Sequence, residues 1–299
     1  MSDTFYLLED LKNGYVFVKS CDGEVTKYVK YDDFINCRVT KPIRGDNESK
    51  IGLCSMTNKN ELVSIIEYNN SNDIKVMIHD ENHAIIHTAL TNFKRGEVLN
   101  PYRRSYFGKG YLGEGFKPTR KDKSMVCWQN MLKRSYTDYY ATSHPTYLNC
   151  EVCDEWLNFQ NFHKWYLENI YSFDDQVMCL DKDIIIKNNK LYSPDTCIFV
   201  PQFINKIFTK RDNDRGDCPI GVHRSSDKNK YVACCSVFDR VKNESKRLNI
   251  GEFDNMYDAF VRYKEFKENY IQSVAYDIKS KIPQKLFIAM INYKVEIDD

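Results

Sequence analysis

The sequence has almost no excess of one charge sign, which excludes a chain whose whole surface attracts nucleic acid. Its 43 Lys and Arg against 42 Asp and Glu give a net charge of +1. Any DNA-binding face must therefore come from local clustering of basic side chains. No apolar run approaches a membrane span, and the first residues lack the basic start and apolar stretch of a secretory leader. We therefore expect no membrane partner.

A disulfide framework is also missing, because the 11 cysteines are odd in number and follow no repeating frame. We expect reduced thiols in a cytoplasmic chain, in the interior of a host cell. Cys150 and Cys153 form a single CxxC that could belong to a zinc site. The possible further ligands are His144, His163, Cys179 and Cys197. Since no second CxxC accompanies the first, the pattern favours buried thiols over structural zinc.

The first third of the chain reads as a tandem repeat. A shift of 59 residues aligns Asn13 with Asn72, Phe34 with Phe93, Val39 with Val98, Pro42 with Pro101 and Arg44 with Arg103. The same shift aligns the apolar pairs Tyr15/Ile74, Phe17/Val76 and Val18/Met77. Short apolar runs between polar turns predict two small β-rich units, at about residues 4–42 and 63–101. Such units commonly bind or space things, so residues 1–102 are a candidate surface for a host or phage protein.

Residues 103–123 are basic and rich in Gly, with Tyr and Phe interleaved. Two interpretations stay open for them, an arm that contacts phosphates and a linker between domains. Further along, we expect helices that begin at Ser124, cover residues 154–169 and follow Pro201.

Two carboxylates stand out near the middle of the chain. Asp181 and Asp183 lie two residues apart, so on a strand they would point to the same face. Residues 187–190 give a turn signal after the apolar run 184–186. Two carboxylates beside an amide-rich turn could hold a divalent cation, which prefers oxygen ligands. The alternative is that both aspartates are solvated turn residues.

Two blocks of residues keep a common order and spacing over about residues 124–210. The upstream block holds Trp128, Met131, Arg134, Tyr136, His144-Pro145-Thr146-Tyr147, Val152-Cys153, Trp156, Phe159 and Phe162. The hairpin block holds Leu180-Asp181-Lys182-Asp183-Ile184, an Asn-containing turn, Tyr192-Ser193-Pro194-Asp195-Thr196-Cys197 and Asn205. Together they resemble a phage-encoded family related to the HNH endonucleases. The resemblance implies an HNH-like, ββα-containing middle domain in residues 124–212.

One position departs from active HNH nucleases. There, a His follows the Asp of the first hairpin strand and acts as general base for metal-assisted attack of water on a phosphodiester. This sequence has Lys182 instead, so the resemblance implies a catalytic centre that is degenerate. In an active centre, Asp181, Asp183 and Asn189 would contact phosphate or Mg²⁺ or Mn²⁺, and His144 would be the only nearby imidazole that could serve as the base.

The segment after residue 212 predicts a three-stranded antiparallel sheet packed on one helix. Strands are expected at residues 221–224, 231–237 and 247–250, before a helix with an apolar stripe. The matching motifs are Gly221-Val222, Lys230-Tyr231-Val232-Ala233, Ile250-Gly251-Glu252-Phe253 and Ala259-Phe260. They are similar to the DNA-binding domain of plant APETALA and ethylene-response factors.

In that family the exposed sheet face enters the DNA major groove, so the resemblance implies double-stranded DNA as a partner. The candidate contacts are His223, Arg224, Lys230, Tyr231, Ser236, Arg247 and Asn249. Several Arg and Trp positions of the family hold other residues here, so its base preference does not carry over.

The whole pattern predicts an α+β, multidomain chain, in which residues 213–280 form the sheet module and 281–299 a helical tail. The leading functional hypothesis is a phage-type DNA-binding protein related to HNH homing endonucleases. One alternative is an active metal-dependent DNA endonuclease that nicks or cuts. The other is a host-directed interaction factor that uses the N-terminal β repeats.

Overall fold

The computed structural model describes residues 5–11, 15–20, 26–36, 38–39, 50–139, 147–209, 217–226, 229–239, 242 and 244–299. Helices and several separate sheets share the chain, which confirms the α+β multidomain fold class. The chain divides into two compact units, residues 1–104 with 111–114 and residues 105–110 with 115–299. Among the described helices, none combines the length and the apolar character that crossing a membrane requires.

The first unit contains two antiparallel sheets, each followed by a short helix. The first sheet, in the order β1-β2-β3, consists of β1 (Phe5–Leu11), β2 (Tyr15–Ser20) and β3 (Thr26–Lys30), and α1 (Tyr31–Ile35) follows. The second sheet, in the order β4-β5-β6-β7, consists of β4 (Cys54–Met56), β5 (Leu62–Asn70), β6 (Asp73–Ile78) and β7 (Ile85–Thr88), and α2 (Leu90–Arg95) follows. Alternate residues of β2 and β6 are buried, as the period of a half-buried strand requires.

The two sheets carry a β-bulge at corresponding places. In the first sheet the pairing shifts between Leu7 and Glu9, and in the second it shifts between Ile65 and Glu67. A bulge is a specific local feature of a strand pair. Its presence at matching positions, with the same order of elements, supports the predicted duplication, which stays a prediction.

The structural register of the two sheets differs in part from the predicted shift of 59. The buried residues Val16 and Val18 correspond to Ile74 and Val76, a shift of 58 because 74 − 16 = 58. The shift becomes 59 at β3 and β7, because residues 79–84 connect β6 to β7 whereas the shorter run 21–25 connects β2 to β3. The predicted pairs Tyr15/Ile74, Phe17/Val76 and Val18/Met77 are therefore wrong by one residue.

The second unit begins with a helical layer and two short strand pairs. Its elements are α3 (Lys123–Tyr136), β8 (Glu151–Val152), α4 (Asp154–Leu157), α5 (Phe159–Asn169), β9 (Met178–Asp181), β10 (Leu191–Tyr192), β11 (Ile198–Pro201) and α6 (Gln202–Phe208). β8 pairs in parallel with β10, and β9 pairs antiparallel with β11. The helix expected over residues 154–169 is interrupted at Asn158, whose side chain accepts a hydrogen bond from the Gln160 backbone N–H and so caps α5.

Two parts of the basic Gly-rich segment, residues 105–110 and the stretch from 115 onward, belong to the second unit and pack on α3 and α5. Tyr106 lies edge-on to Trp128 with ring centroids 5.0 Å apart, and Phe116 stacks on His163 at 4.3 Å. Gly110 approaches α3 so closely that a Cβ there would lie 2.5 Å from Leu132 Cδ1. Gly110 therefore serves close packing, which the sequence alone did not predict, whereas a Cβ at Gly108 would meet no atom within 4 Å.

The C-terminal module has the predicted three-stranded sheet on a long helix. Its elements are β12 (Val222–Arg224), β13 (Tyr231–Asp239), β14 (Glu244–Phe253), α7 (Met256–Ile278), a 3-10 turn (Lys279–Lys281) and α8 (Gln284–Ile291). The strand order is β12-β13-β14 and the pairs are antiparallel. Gly221 has φ +77°, and a Cβ there would lie 2.1 Å from the Tyr263 ring, so this turn requires glycine.

One apolar core runs from the middle segment into this module, across the boundary predicted at residue 212. It joins Ile184, Val200, Phe203 and Ile204 of the middle segment to Ile271, Ala275, Ile278, Leu286 and Met290 of α7 and α8. The C-terminal tail is also fixed to the hairpin loop, residues 182–190 between β9 and β10, because Lys187 Nζ donates to the Lys294 carbonyl at 2.9 Å and pairs with Asp299 at 2.6 Å. The hairpin and the sheet module thus belong to one body.

Candidate functional site

The predicted carboxylate pair lies at the end of β9, and only one member is on the strand. β9 ends at Asp181, whose Oδ1 accepts hydrogen bonds from the backbone N–H groups of Asp183 and Ile184, both at 2.8 Å. This local capping turns the chain out of the strand. The expectation that Asp181 and Asp183 share one strand face is therefore wrong.

The residue between the two aspartates is a buried lysine. Lys182 is only 4% exposed, and its Nζ donates to Asp183 Oδ1 at 2.8 Å, Asp183 Oδ2 at 2.7 Å and the Asn189 carbonyl at 2.8 Å. Three oxygens thus surround the ammonium much as they would surround a bound cation. The Lys182 ammonium therefore neutralises the Asp183 carboxylate, which was predicted to hold a metal.

Asn189 holds the loop that carries these groups. Its Nδ2 donates to the carbonyls of Lys182 at 3.0 Å and Leu191 at 2.6 Å, and its Oδ1 accepts from the Leu191 N–H at 3.2 Å. The preceding Asn188 has φ +61°, a left-handed conformation that Asn tolerates better than most residues. Both asparagines therefore shape the turn, and the Asn189 amide is engaged by the backbone.

A cleft of about 860 Å³ lies beside this loop, between α3 and β9. Its lining includes Arg134 and Tyr147 on one side and Cys179 and Asp181 on the other. Arg134 lies over the Tyr147 ring at 5.5 Å. Burial raises the pKa of the Asp181 carboxyl, although its two backbone hydrogen bonds act in the opposite direction. The cleft thus brings a guanidinium, a tyrosine, a thiol and a carboxyl to one cavity.

Those predicted metal ligands that the structure describes form no recognisable centre. Within the part of the chain that the structure describes, no group of three or more His, Cys, Asp or Glu side chains is placed to hold a metal ion. His144, the predicted base, lies outside the described residues. Cys150 and Cys153 flank β8, as expected for a CxxC between a strand and a helix, and burial raises the pKa of both thiols.

The sheet module has one face in its core and one outer face. Val222, Ala233 and Cys235 are buried against α7, so the residues that alternate with them point outward. The pairing of Ser236 with Arg247 and of Cys234 with Asn249 extends this outer face onto β14. This outer sheet face, as we call it, includes His223, Cys234, Ser236, Arg247 and Asn249, and also carries Val232 and the carboxylate of Glu252 at its edge.

Three side chains form a connected group at the centre of the outer sheet face. Arg247 donates to Cys234 Sγ from Nε at 3.1 Å and from Nη2 at 3.0 Å. Its Nη2 also lies 3.2 Å from His223 Nδ1, which in turn lies 3.3 Å from Cys234 Sγ. Burial, and then the Arg247 charge, lower the pKa of His223. The guanidinium is therefore held in a fixed place on an exposed surface.

The other predicted DNA contacts lie elsewhere on the module. Arg224 and Tyr231 pair with each other across β12 and β13, and the guanidinium lies over the tyrosine ring at 5.4 Å. Tyr231 packs against the core on the α7 side, so this pair belongs to the opposite face. Lys230 precedes β13 and is 3.8 Å from Asp254. Of the predicted set, the structure brings together His223, Ser236, Arg247 and Asn249.

Cys234 is the member of the outer sheet face that the sequence prediction missed. Cys234 and Cys235 are adjacent on β13, so one must face the core and the other the outside. The strand alternation could have identified the outward thiol once Ala233 was assigned to the core. Comparisons of the chain with protein-family models, with curated proteins and with solved structures found nothing that matches.

Proposed function

We propose that the chain binds double-stranded DNA through the outer sheet face. The observation that carries the proposal is the division of the sheet: Val222, Ala233 and Cys235 fill the core on α7, while the opposite face presents Arg247 and Asn249 to solvent. A face that needed only to be solvated would not require a guanidinium fixed by a thiol and an imidazole. Such an arrangement reduces the entropy lost when a ligand binds.

The local chemistry suits a duplex. Arg247 is exposed on β14 and can attract phosphates, while Asn249 and Ser236 can bond to groups in a groove. The major groove is wide enough for a β-ribbon. The resemblance to the APETALA and ethylene-response-factor domain supports the same assignment, since in that domain the sheet face contacts DNA.

The hairpin centre is proposed to act as a scaffold and not as a nuclease site. Both carboxylate oxygens of Asp183 accept from the Lys182 ammonium, and one oxygen of Asp181 accepts from two backbone N–H groups. Binding a catalytic metal there would require the buried lysine to leave. An HNH-like centre without a His at this position also lacks the usual general base.

Duplex binding over a salt series tests the proposed function. We expect the dissociation constant for short duplexes to rise steeply with salt, because each neutralised phosphate releases counterions. Arg247→Ala should weaken binding, whereas Arg224→Ala, which removes the same charge from the opposite face, should have little effect. Equal losses in the two variants would contradict the outer sheet face as the binding surface.

A nicking assay separates binding from cleavage. Incubation of the native chain with supercoiled plasmid and Mg²⁺ or Mn²⁺ should leave the plasmid supercoiled. Nicking that is lost in Asp181→Ala would establish the endonuclease alternative instead.

A further inference from the structure

The hydrogen bonds of Arg247 restrict the way in which it can contact DNA. A guanidinium carries five N–H donors, and it reads guanine or grips a carboxylate with two parallel N–H groups on one edge. One such edge is formed by Nε and Nη2, and the other by Nη1 and Nη2. The state of these two edges decides whether bidentate recognition is available.

Both edges of Arg247 are engaged within the protein. Nε and Nη2 point together at Cys234 Sγ, at 3.1 and 3.0 Å, and so occupy the first edge. Nη2 also meets His223 Nδ1 at 3.2 Å, which takes one half of the second edge. Since a guanidinium only donates, His223 Nδ1 must be the acceptor in this contact.

Only Nη1 is left for a ligand. Among the described residues, Nη1 of Arg247 has no hydrogen-bond partner, although the side chain is exposed. We propose that Arg247 binds a single DNA phosphate through Nη1 and does not read a base. This inference rests on the proposed function and assigns Arg247 to positioning the duplex, so that base selection falls to other residues of the outer sheet face.

A bidentate contact with guanine O6 and N7 would require Arg247 to give up its bond to His223 or both bonds to Cys234. A phosphate oxygen makes no such demand, because it accepts one donor from any direction around it. The geometry therefore favours the phosphate, and Cys234 and His223 act as positioning residues that hold the guanidinium in place.

The test compares duplexes of normal guanine with duplexes in which 7-deazaguanine removes the N7 acceptor. We expect Arg247→Ala to weaken binding to both duplexes by the same factor, about tenfold. The slope of log Kd against log salt should fall by about one. Arg247→Lys keeps a point charge and should stay within about threefold of the native affinity. Arg224→Ala is the control for loss of the same charge.

The variant Cys234→Ala is expected to change how Arg247 contacts the duplex. Cys234→Ala frees the Nε edge of Arg247, so it should make binding more dependent on guanine N7 than it is in the native chain. The 7-deazaguanine duplex should then bind Cys234→Ala more weakly than the normal duplex does, whereas the native chain should bind both equally.

Failure of the inference differs from failure of the proposed function. A native chain that binds no duplex at any salt concentration would overturn both. A native chain that binds, but in which Arg247→Ala weakens the normal duplex more than the 7-deazaguanine duplex, would overturn the phosphate assignment alone. A loss in Arg247→Lys as large as that in Arg247→Ala would do the same.

Discussion

The hairpin loop and the outer sheet face each fix one basic side chain with neighbouring groups. In the hairpin loop the side chain is Lys182, and in the sheet it is Arg247. The Lys182 side chain is 5% exposed, and its ammonium is surrounded by the Asp183 carboxylate and the Asn189 carbonyl. Arg247 is exposed and is held by a thiol and an imidazole, Cys234 and His223, with no carboxylate among its hydrogen-bond partners in the described residues.

The difference shows that a fixed cation is available to a ligand only if its charge is left uncompensated. The carboxylate beside Lys182 cancels the charge, and burial keeps a ligand away. The thiol and imidazole beside Arg247 orient the guanidinium without cancelling its charge. The same principle separates a structural cation from a candidate binding residue, although sequence composition treats Lys and Arg alike.

The largest expected effect on stability follows removal of the Asp183 carboxylate, which pairs with Lys182 in the hairpin loop. Asp183→Ala leaves the buried Lys182 ammonium without a counter-charge and should lower the free energy of unfolding by about 3 kcal/mol. Lys182→Met removes the buried charge itself and leaves an Asp183 side chain that is 50% exposed, so its cost should be nearer to about 1 kcal/mol.

Urea denaturation of the two variants measures this asymmetry. Glu265→Ala is the control, because its ion pair with Arg262 is exposed at both ends and should contribute less than about 0.5 kcal/mol. A larger cost for Lys182→Met than for Asp183→Ala would show that the lysine is not the buried, dependent partner.

A smaller effect on stability is expected when the Asp181 side chain, which caps the end of β9, is replaced. Asp181→Ala loses the acceptor for two backbone N–H groups and should destabilise the fold by about 1.5 kcal/mol. Asp181→Asn keeps that acceptor and removes a carboxyl whose pKa burial raises, so it should match or exceed the native stability at neutral pH. The sign follows because a folded pKa above the ordinary value of 3.8 makes ionisation costly as pH rises.

Thermal unfolding of the two Asp181 variants distinguishes a capping role from a charge role. If Asp181→Asn were as unstable as Asp181→Ala, the negative charge and not the acceptor would be what the loop requires.

The smallest expected effect concerns His79, a half-buried histidine directly after β6 of the second sheet. His79 lies 2.8 Å from Ser64 Oγ, and burial lowers its pKa from 6.5 to about 4. Because the unfolded chain binds the proton more readily, stability should be complete above pH 6.5 and should fall as pH drops towards about 4. The loss should be about 1 kcal/mol, after allowance for partial exposure of the ring.

NMR titration of the imidazole and the pH dependence of unfolding check the role of His79. His79→Gln keeps a polar side chain near Ser64 and should flatten this part of the stability profile. A His79 resonance that titrates at the ordinary value would contradict the assignment. His223, on the exposed outer sheet face, should also titrate below its ordinary value because of burial and the Arg247 charge.

Much of the fold could be predicted because its signals are local. The strand periodicity and the apolar stripe of α7 predicted the C-terminal module. The turn before β12 depends on Gly221, whose φ is +77°. The register of the first unit was less predictable, because one additional residue between β6 and β7 changes the shift from 58 to 59. The difference in length between the β2–β3 and β6–β7 connections can be recognised only when the strands of both sheets are known.

The candidate site was predicted less completely, for a physical reason. Lys182 and Asp183 are charged neighbours, and composition favours solvent exposure for both; the Asp181 cap turns the chain so that the lysine enters the interior. On the sheet, the contact between Arg247 and Cys234 depends on the irregular pairing between β13 and β14 after Ala233. Neither local turn geometry nor a bulge can be read from the types of the residues involved.

The most direct test of the central claim is a parallel measurement of duplex affinity for the native chain, Arg247→Ala, Arg224→Ala and Asp181→Asn. The outer sheet face, and not the hairpin centre, is expected to carry the affinity. Arg247→Ala should therefore bind about tenfold more weakly, while Arg224→Ala and Asp181→Asn bind as the native chain does. Native affinity in Arg247→Ala, with a loss in Asp181→Asn, would contradict the account.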